Sequence, residues 1–115
     1  MSIFKYLDYK SFLKRKIREN QNIYGYKTKL AAAHELTMKA ARLKDQGRPA
    51  LEAAAMAKLF ASEAAEEICS AAIQTLGGYG YLADYPVERI YRDVRVCQIY
   101  EGTSDVQKII LQRML

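Results

Sequence analysis

Residues 50 to 76 read ALEAAAMAKLFASEAAEEICSAAIQTL. Met56, Phe60, Ala64, Ile68 and Ala72 recur at every fourth position. That spacing lines one face of an α-helix with large and small apolar groups and leaves Glu52, Glu63, Glu66 and Glu67 elsewhere on the surface. The stretch predicts one long central helix, ended by Gly77 and Gly78. Alanine is dense from Ala31 to Ala72, as expected where helices pack closely, so the chain is predicted to be all-α, a helical bundle.

Upstream, a second periodic run starts near Lys27, with Ala32, Leu36, Ala40 and Leu43 on one stripe. The sequence DQGRP at 45 to 49 then makes a helix–helix corner. Gly47 can take the left-handed conformation past a helix end, and Pro49 suits the first turn of the next helix. Further upstream, residues 3 to 18 read as a short basic amphipathic helix, broken by Asn20, Gln21, Asn22 and Gly25. Downstream, a short helix is expected through Val87, Ile90 and Val94. Gly102 precedes a last helix, in which Ser104 and Gln107 have capping-box spacing and Val106, Ile109, Ile110 and Met114 supply the buried face.

A chain of 115 residues can build one core and not two. The longest apolar run extends only from Ala53 to Ala57, far short of the roughly 18 residues that span a bilayer, so no membrane role is expected. Lys5, Asp8 and Lys10 interrupt the apolar start, which removes a secretory signal, and a cytoplasmic location is the expectation. The net charge of +5 is uneven: residues 1 to 48 carry +8 and residues 49 to 115 carry −3. Such asymmetry suits a nucleic-acid or membrane arm, but also a solvated helix face or a surface that meets acidic phosphates. The solvated face is the reading adopted, and nucleic acid is not an expected partner. Cys69 and Cys97 are too few and too far apart for a metal cluster or a redox pair, and are expected to be buried, reduced thiols. His34 has no second ligand at metal spacing, so no metal site is expected. Arg89, Arg92 and Arg95 are expected to pair with Glu88 or Asp93.

Two segments carry more than packing requires: Gln74-Thr-Leu-Gly-Gly-Tyr-Gly-Tyr81 and Ile99-Tyr-Glu-Gly-Thr-Ser104. On physical grounds alone, Glu101 reads as a charge that favours the start of the last helix, and Gly77 and Gly78 as a helix C-cap. With Tyr85-Pro86 and Tyr91-Arg92-Asp93 between them, the two segments resemble, in order and spacing, the C-terminal helical domain of the acyl-CoA dehydrogenases. The resemblance runs from about residue 26 to 115. Residues 1 to 25 are unmatched, including the stretch that in the family usually supplies an arginine to the flavin.

The resemblance implies an FAD-dependent oxidoreductase of fatty acid metabolism that dehydrogenates acyl-CoA thioesters between the α and β carbons. It makes Glu101 the catalytic base and Gly102 a substrate-binding position. It assigns Gln74, Thr75, Leu76, Gly77, Gly78, Thr103 and Asp105 to cofactor binding, the first five reaching the dinucleotide of a neighbouring subunit. Such a base needs an apolar wall to raise its pKa, whereas a helix N-terminus would lower it. The family distributes its flavin and acyl chain among three domains, of which this chain resembles one. The chain alone is therefore expected to be inactive and not to retain FAD, with acyl-CoA a substrate only of a complete enzyme. A bundle short of one helix exposes an apolar stripe, so a homo-oligomer is expected. The alternative is a non-catalytic helical interaction module derived from the same domain.

Overall fold

The computed structural model describes residues 11, 14–16, 18 and 22–115. Five helices follow one another in its continuous part: α1 (Ile23–Asp45), α2 (Leu51–Leu76), the single turn α3 (Gly78–Tyr81), α4 (Val87–Arg95) and α5 (Ser104–Gln112). A 3-10 turn, Val96–Gln98, links α4 to the segment before α5. No strand occurs among the described residues, and none of their helices is long and apolar enough to cross a membrane. The basic helix expected over residues 3 to 18 falls largely outside the described residues, of which Ser11, Arg18 and residues 14 to 16 are helical.

Every other helix packs against α2. The reason lies in its small residues: Ala53, Ala55, Ala57, Ser62 and Ala64 are buried, and side chains this small let neighbouring backbones approach closely. The expected stripe is only partly the buried one, since Ala64 is covered whereas Met56, Ile68 and Ala72 are half-buried and Phe60 is exposed. The predicted stripe of α1, Ala32, Leu36, Ala40 and Leu43, is half-buried, as are Ile23, Tyr26, Lys29 and Ala33. Lys29 of α1 pairs with Glu67 of α2 across that contact.

The corner between these helices forms as the glycine requires. Gly47 has φ +66, its N–H donates to the Lys44 carbonyl, and the Arg48 N–H donates to the Leu43 carbonyl, which satisfies two orphan carbonyls at the end of α1. Pro49 lies one position before the N-cap Ala50 rather than in the first turn. Gly25 breaks nothing: α1 already begins at Ile23 and runs through it.

Three further expectations need correction. The cap of α5 is Thr103, whose hydroxyl accepts from the Val106 N–H at 3.3 Å, while the Ser104 hydroxyl is buried with no partner among the described residues. The α5 face expected inside is mostly outside: Val106, Ile109 and Met114 are exposed, and the buried residue is Gln107. The pattern is amphipathic, but no described residue covers Val106, Ile109 or Met114. Cys69 and Cys97 are free and only half-buried, though burial still pushes the Cys69 thiol above its ordinary pKa.

Candidate functional site

The residues singled out in the sequence fall into two clusters at different heights on α2. The first is the turn that leaves its C-terminal end. Gly77 has φ 58 and ψ −135, a backbone region open to glycine alone. Gly78 has neither a positive φ nor any neighbour that a Cβ would meet within 4 Å. Nothing among the described residues requires glycine there, and none of them fills the space beside its backbone. Gly80 is the opposite case: a Cβ there would lie 2.6 Å from the Ile73 carbonyl oxygen, so glycine lets the chain fold back tightly onto α2. Tyr79 and the buried Tyr85 meet edge to face at 5.3 Å and hold this return.

Residues Gln74 to Gly78 line a groove of about 430 Å³, with Tyr79, Leu82 and Lys16 as its other walls. Gln74 is exposed, whereas the Leu76 side chain is buried, which leaves only its backbone to a ligand. The Thr75 hydroxyl donates back to the Ala71 carbonyl at 2.8 Å. Lys16 is a lining residue that the sequence reading missed, because it treated the N-terminal segment as separate from the site. A larger open groove of about 1030 Å³ runs from Gln74 and Tyr81 past Tyr91 and Arg92 to Ile99.

The second cluster is the loop between the 3-10 turn and α5. Glu101 is the only non-glycine residue with positive φ among those described, at 54°, and Gly102 follows at 90°. A left-handed glutamate costs about 1–2 kcal/mol, so the loop must be held from outside itself. Three elements hold it. Lys58 of α2 donates from its Nζ to the carbonyls of Cys97 at 3.0 Å and Gly102 at 2.7 Å. Gln107 of α5 donates its Nε2 to the same Gly102 carbonyl at 3.2 Å, and sits so close that a Cβ on Gly102 would lie 2.7 Å from it. Gln98 donates to the Ser62 carbonyl and, at 2.6 Å, to Glu66, while Arg95 donates to the Gln98 side-chain oxygen at 2.8 Å. Arg95 also pairs with Glu66 at 3.7 Å, and not with Glu88 or Asp93 as expected.

Glu101 itself is exposed, flanked by the exposed Ile99 and Tyr100. Tyr100 accepts or donates a contact with the Cys97 thiol at 3.4 Å, and that hydrogen bond, with the thiol's charge, raises the phenol above its ordinary pKa. Thr103 and Asp105 are exposed too, the threonine hydroxyl being engaged in the cap and Asp105 lying 3.7 Å from Lys108. Glu101, Gly102, Thr103 and Asp105 thus share one turn. Gln74 to Gly78 lie apart from it: Lys58, which anchors the Glu101 loop, is sixteen residues before Gln74, or about 24 Å along the helix axis.

A strained carboxylate on a pinned loop thus stands apart from a bare glycine turn at the C-terminal end of α2. The model of the acyl-CoA dehydrogenase C-terminal domain matches residues 17–115. The chain belongs to the acyl-CoA dehydrogenase family. Members of that family are flavoproteins. The chain is 50% identical over 86 residues to cyclohexane-1-carbonyl-CoA dehydrogenase of Geobacter metallireducens, a match covering 75% of this chain and 23% of the relative. It is 53% identical over 88 residues to the CarC subunit of the caffeyl-CoA reductase-Etf complex of Acetobacterium woodii, covering 76% of this chain and 23% of the relative. Among solved structures, butyryl-CoA dehydrogenase from Megasphaera elsdenii superimposes with a TM-score of 0.75 at 43% identity, over 76% of this chain and 23% of that one. The chain therefore spans about a quarter of the length of the relatives it matches, in the all-helical domain that the sequence predicted.

Proposed function

We propose that this domain supplies the catalytic base and part of the flavin surface for α,β-dehydrogenation of acyl-CoA thioesters. The observation that carries the reading is Glu101: an exposed carboxylate in a left-handed backbone, kept there by donors from two helices. Strain at an exposed acid has no structural return among the described residues, whereas a base presented to a substrate from outside explains it. A Glu101 carboxylate oxygen takes the α-proton of the thioester. The electron pair of that C–H bond becomes the new Cα=Cβ bond as hydride leaves the β-carbon. A bound flavin supplies the hydride acceptor. Reduction of an α,β-unsaturated thioester is the same reaction run backwards, with Glu101 returning the proton.

The bare backbone at Gly77 and Gly78 and the exposed Gln74 amide fit one wall of an FAD site, where a flat or phosphate-bearing ligand can come close. They form one wall only. The rise of about 24 Å along α2 from Lys58, which anchors the Glu101 loop, to Gln74 favours a site in which Glu101 serves one flavin and Gln74 to Gly78 touch the cofactor of a neighbouring subunit. Glu101 also needs an apolar cover, which none of the described residues provides, and in this reading the isolated chain is inactive and does not hold FAD.

The test is a graft. Residues 26–115 replace the matching segment of the Megasphaera elsdenii butyryl-CoA dehydrogenase, and flavin content and butyryl-CoA oxidation are measured beside the 115-residue chain alone. The expected result is a yellow, active graft and a colourless, inactive chain. A well-folded graft that excludes FAD would favour the non-catalytic interaction module instead.

A further inference from the structure

The geometry points to Lys58 as the residue that positions the base: its ammonium, by bridging the Cys97 and Gly102 carbonyls, closes the loop between them and fixes Glu101 in its left-handed conformation. The functional meaning of this clamp rests on the reading of Glu101 as the base, but the clamp itself does not.

Lys58 lies in the N-terminal third of α2, half-buried, beside the small residues Ala57 and Ala61. Its side chain leaves an otherwise apolar helix surface to reach two backbone oxygens five residues apart in sequence, one at each end of the loop. An ammonium has three donors on one point, and two of them close this loop while the charge lies 5.9 Å from the centre of the Tyr100 ring. No carboxylate pairs with Lys58 among the described residues, so the two carbonyls are its polar partners. The Gly102 carbonyl is the critical one. It belongs to the Gly102–Thr103 peptide, one residue past Glu101, and it receives both Lys58 and Gln107. Holding that oxygen fixes the peptide plane after Gly102, which, with the Cys97 carbonyl held as well, bounds the loop in which Glu101 takes its left-handed turn. A neutral side chain of similar shape would fill the same space but leave both carbonyls without their charged donor, and a hydrogen bond from a charged group is the stronger kind. Lys58 acts through Glu101 and is a positioning residue.

The test uses the isotope-labelled 115-residue chain. In the wild type, through-hydrogen-bond couplings are sought between the Lys58 Nζ and the carbonyl carbons of Cys97 and Gly102, and the one-bond Cα–Hα coupling of Glu101 reports the sign of its φ. Both couplings and a left-handed Glu101 are expected. In Lys58→Met the helix content should persist while Glu101 shifts toward right-handed values and the amides of residues 98 to 102 exchange at least about tenfold faster. Lys108→Met, which removes an exposed cation of α5, should leave Glu101 unchanged. Absence of the carbonyl couplings in the wild type overturns the proposal whether or not Lys58→Met folds. A left-handed Glu101 that survives Lys58→Met, or one that is lost equally in Lys108→Met, also overturns it. None of these readouts needs turnover, so the clamp can fail while the dehydrogenase reading stands, and the reverse.

Discussion

At Glu101 and Gly102 the chain accepts two unfavourable local choices in succession. A glutamate at φ 54 forgoes stability that an asparagine, which tolerates this region, would recover. Glu101→Asn is therefore expected to raise the stability of the chain by about 0.5–1 kcal/mol in thermal unfolding while removing the base; a lower melting temperature would mean that no strain is stored there. Gly102→Ala should act in the opposite sense. Its φ of 90° and the Gln107 amide 2.7 Å from the added Cβ together predict a loss of about 1–3 kcal/mol. Denaturant unfolding of that variant checks it, and no change in midpoint would be inconsistent with the packed loop. The sequence marked both residues, but only through their resemblance to a motif. The strain itself was not legible, because a non-glycine residue with positive φ carries no compositional sign.

The helices show where sequence patterns succeed and where they slip by one. The bounds of α2, the glycine corner at Gly47 and the helix through Val87, Ile90 and Val94 were all readable, since periodicity and glycine placement are local properties. The cap of α5 was not: Ser104 and Thr103 are equally good candidates by type, and only the backbone shows that Thr103 takes the role. Thr103→Ala is expected to cost about 1 kcal/mol, whereas Ser104→Ala, which removes a buried hydroxyl without a partner, should be neutral or slightly stabilising. Equal losses at the two positions would return the cap to Ser104. Lys58, Gln98 and Gln107 were also invisible as loop holders, because each meets its partner through tertiary contact. The one hint was a lysine set in the alanine-rich run AAAMAKLFA.

The whole molecule has too little interior for its length. The chain measures 53 × 24 × 23 Å with a radius of gyration of 17.4 Å, against about 13 Å for a compact domain of this size. Its accessible surface is 8589 Å², against about 6,400 Å² for a compact monomer of this mass. Val106, Ile109, Phe60, Leu30 and Tyr24 are among the large apolar residues left in the open. Surfaces of this kind are rarely bare, and a homo-oligomer, a dimer, is the expected state of the chain in solution. Sedimentation equilibrium at micromolar concentrations checks it: a mass of one chain throughout the range would contradict the expectation.

The central claim concerns Glu101 as the base, and the measurement closest to it compares Glu101→Gln with the unaltered graft in Megasphaera elsdenii butyryl-CoA dehydrogenase. Glutamine keeps the shape and removes the proton acceptor, so flavin content and KM for butyryl-CoA should hold while kcat falls by about a hundredfold to ten-thousandfold. An FAD-loaded Glu101→Gln graft that oxidises butyryl-CoA as fast as its parent would contradict the account.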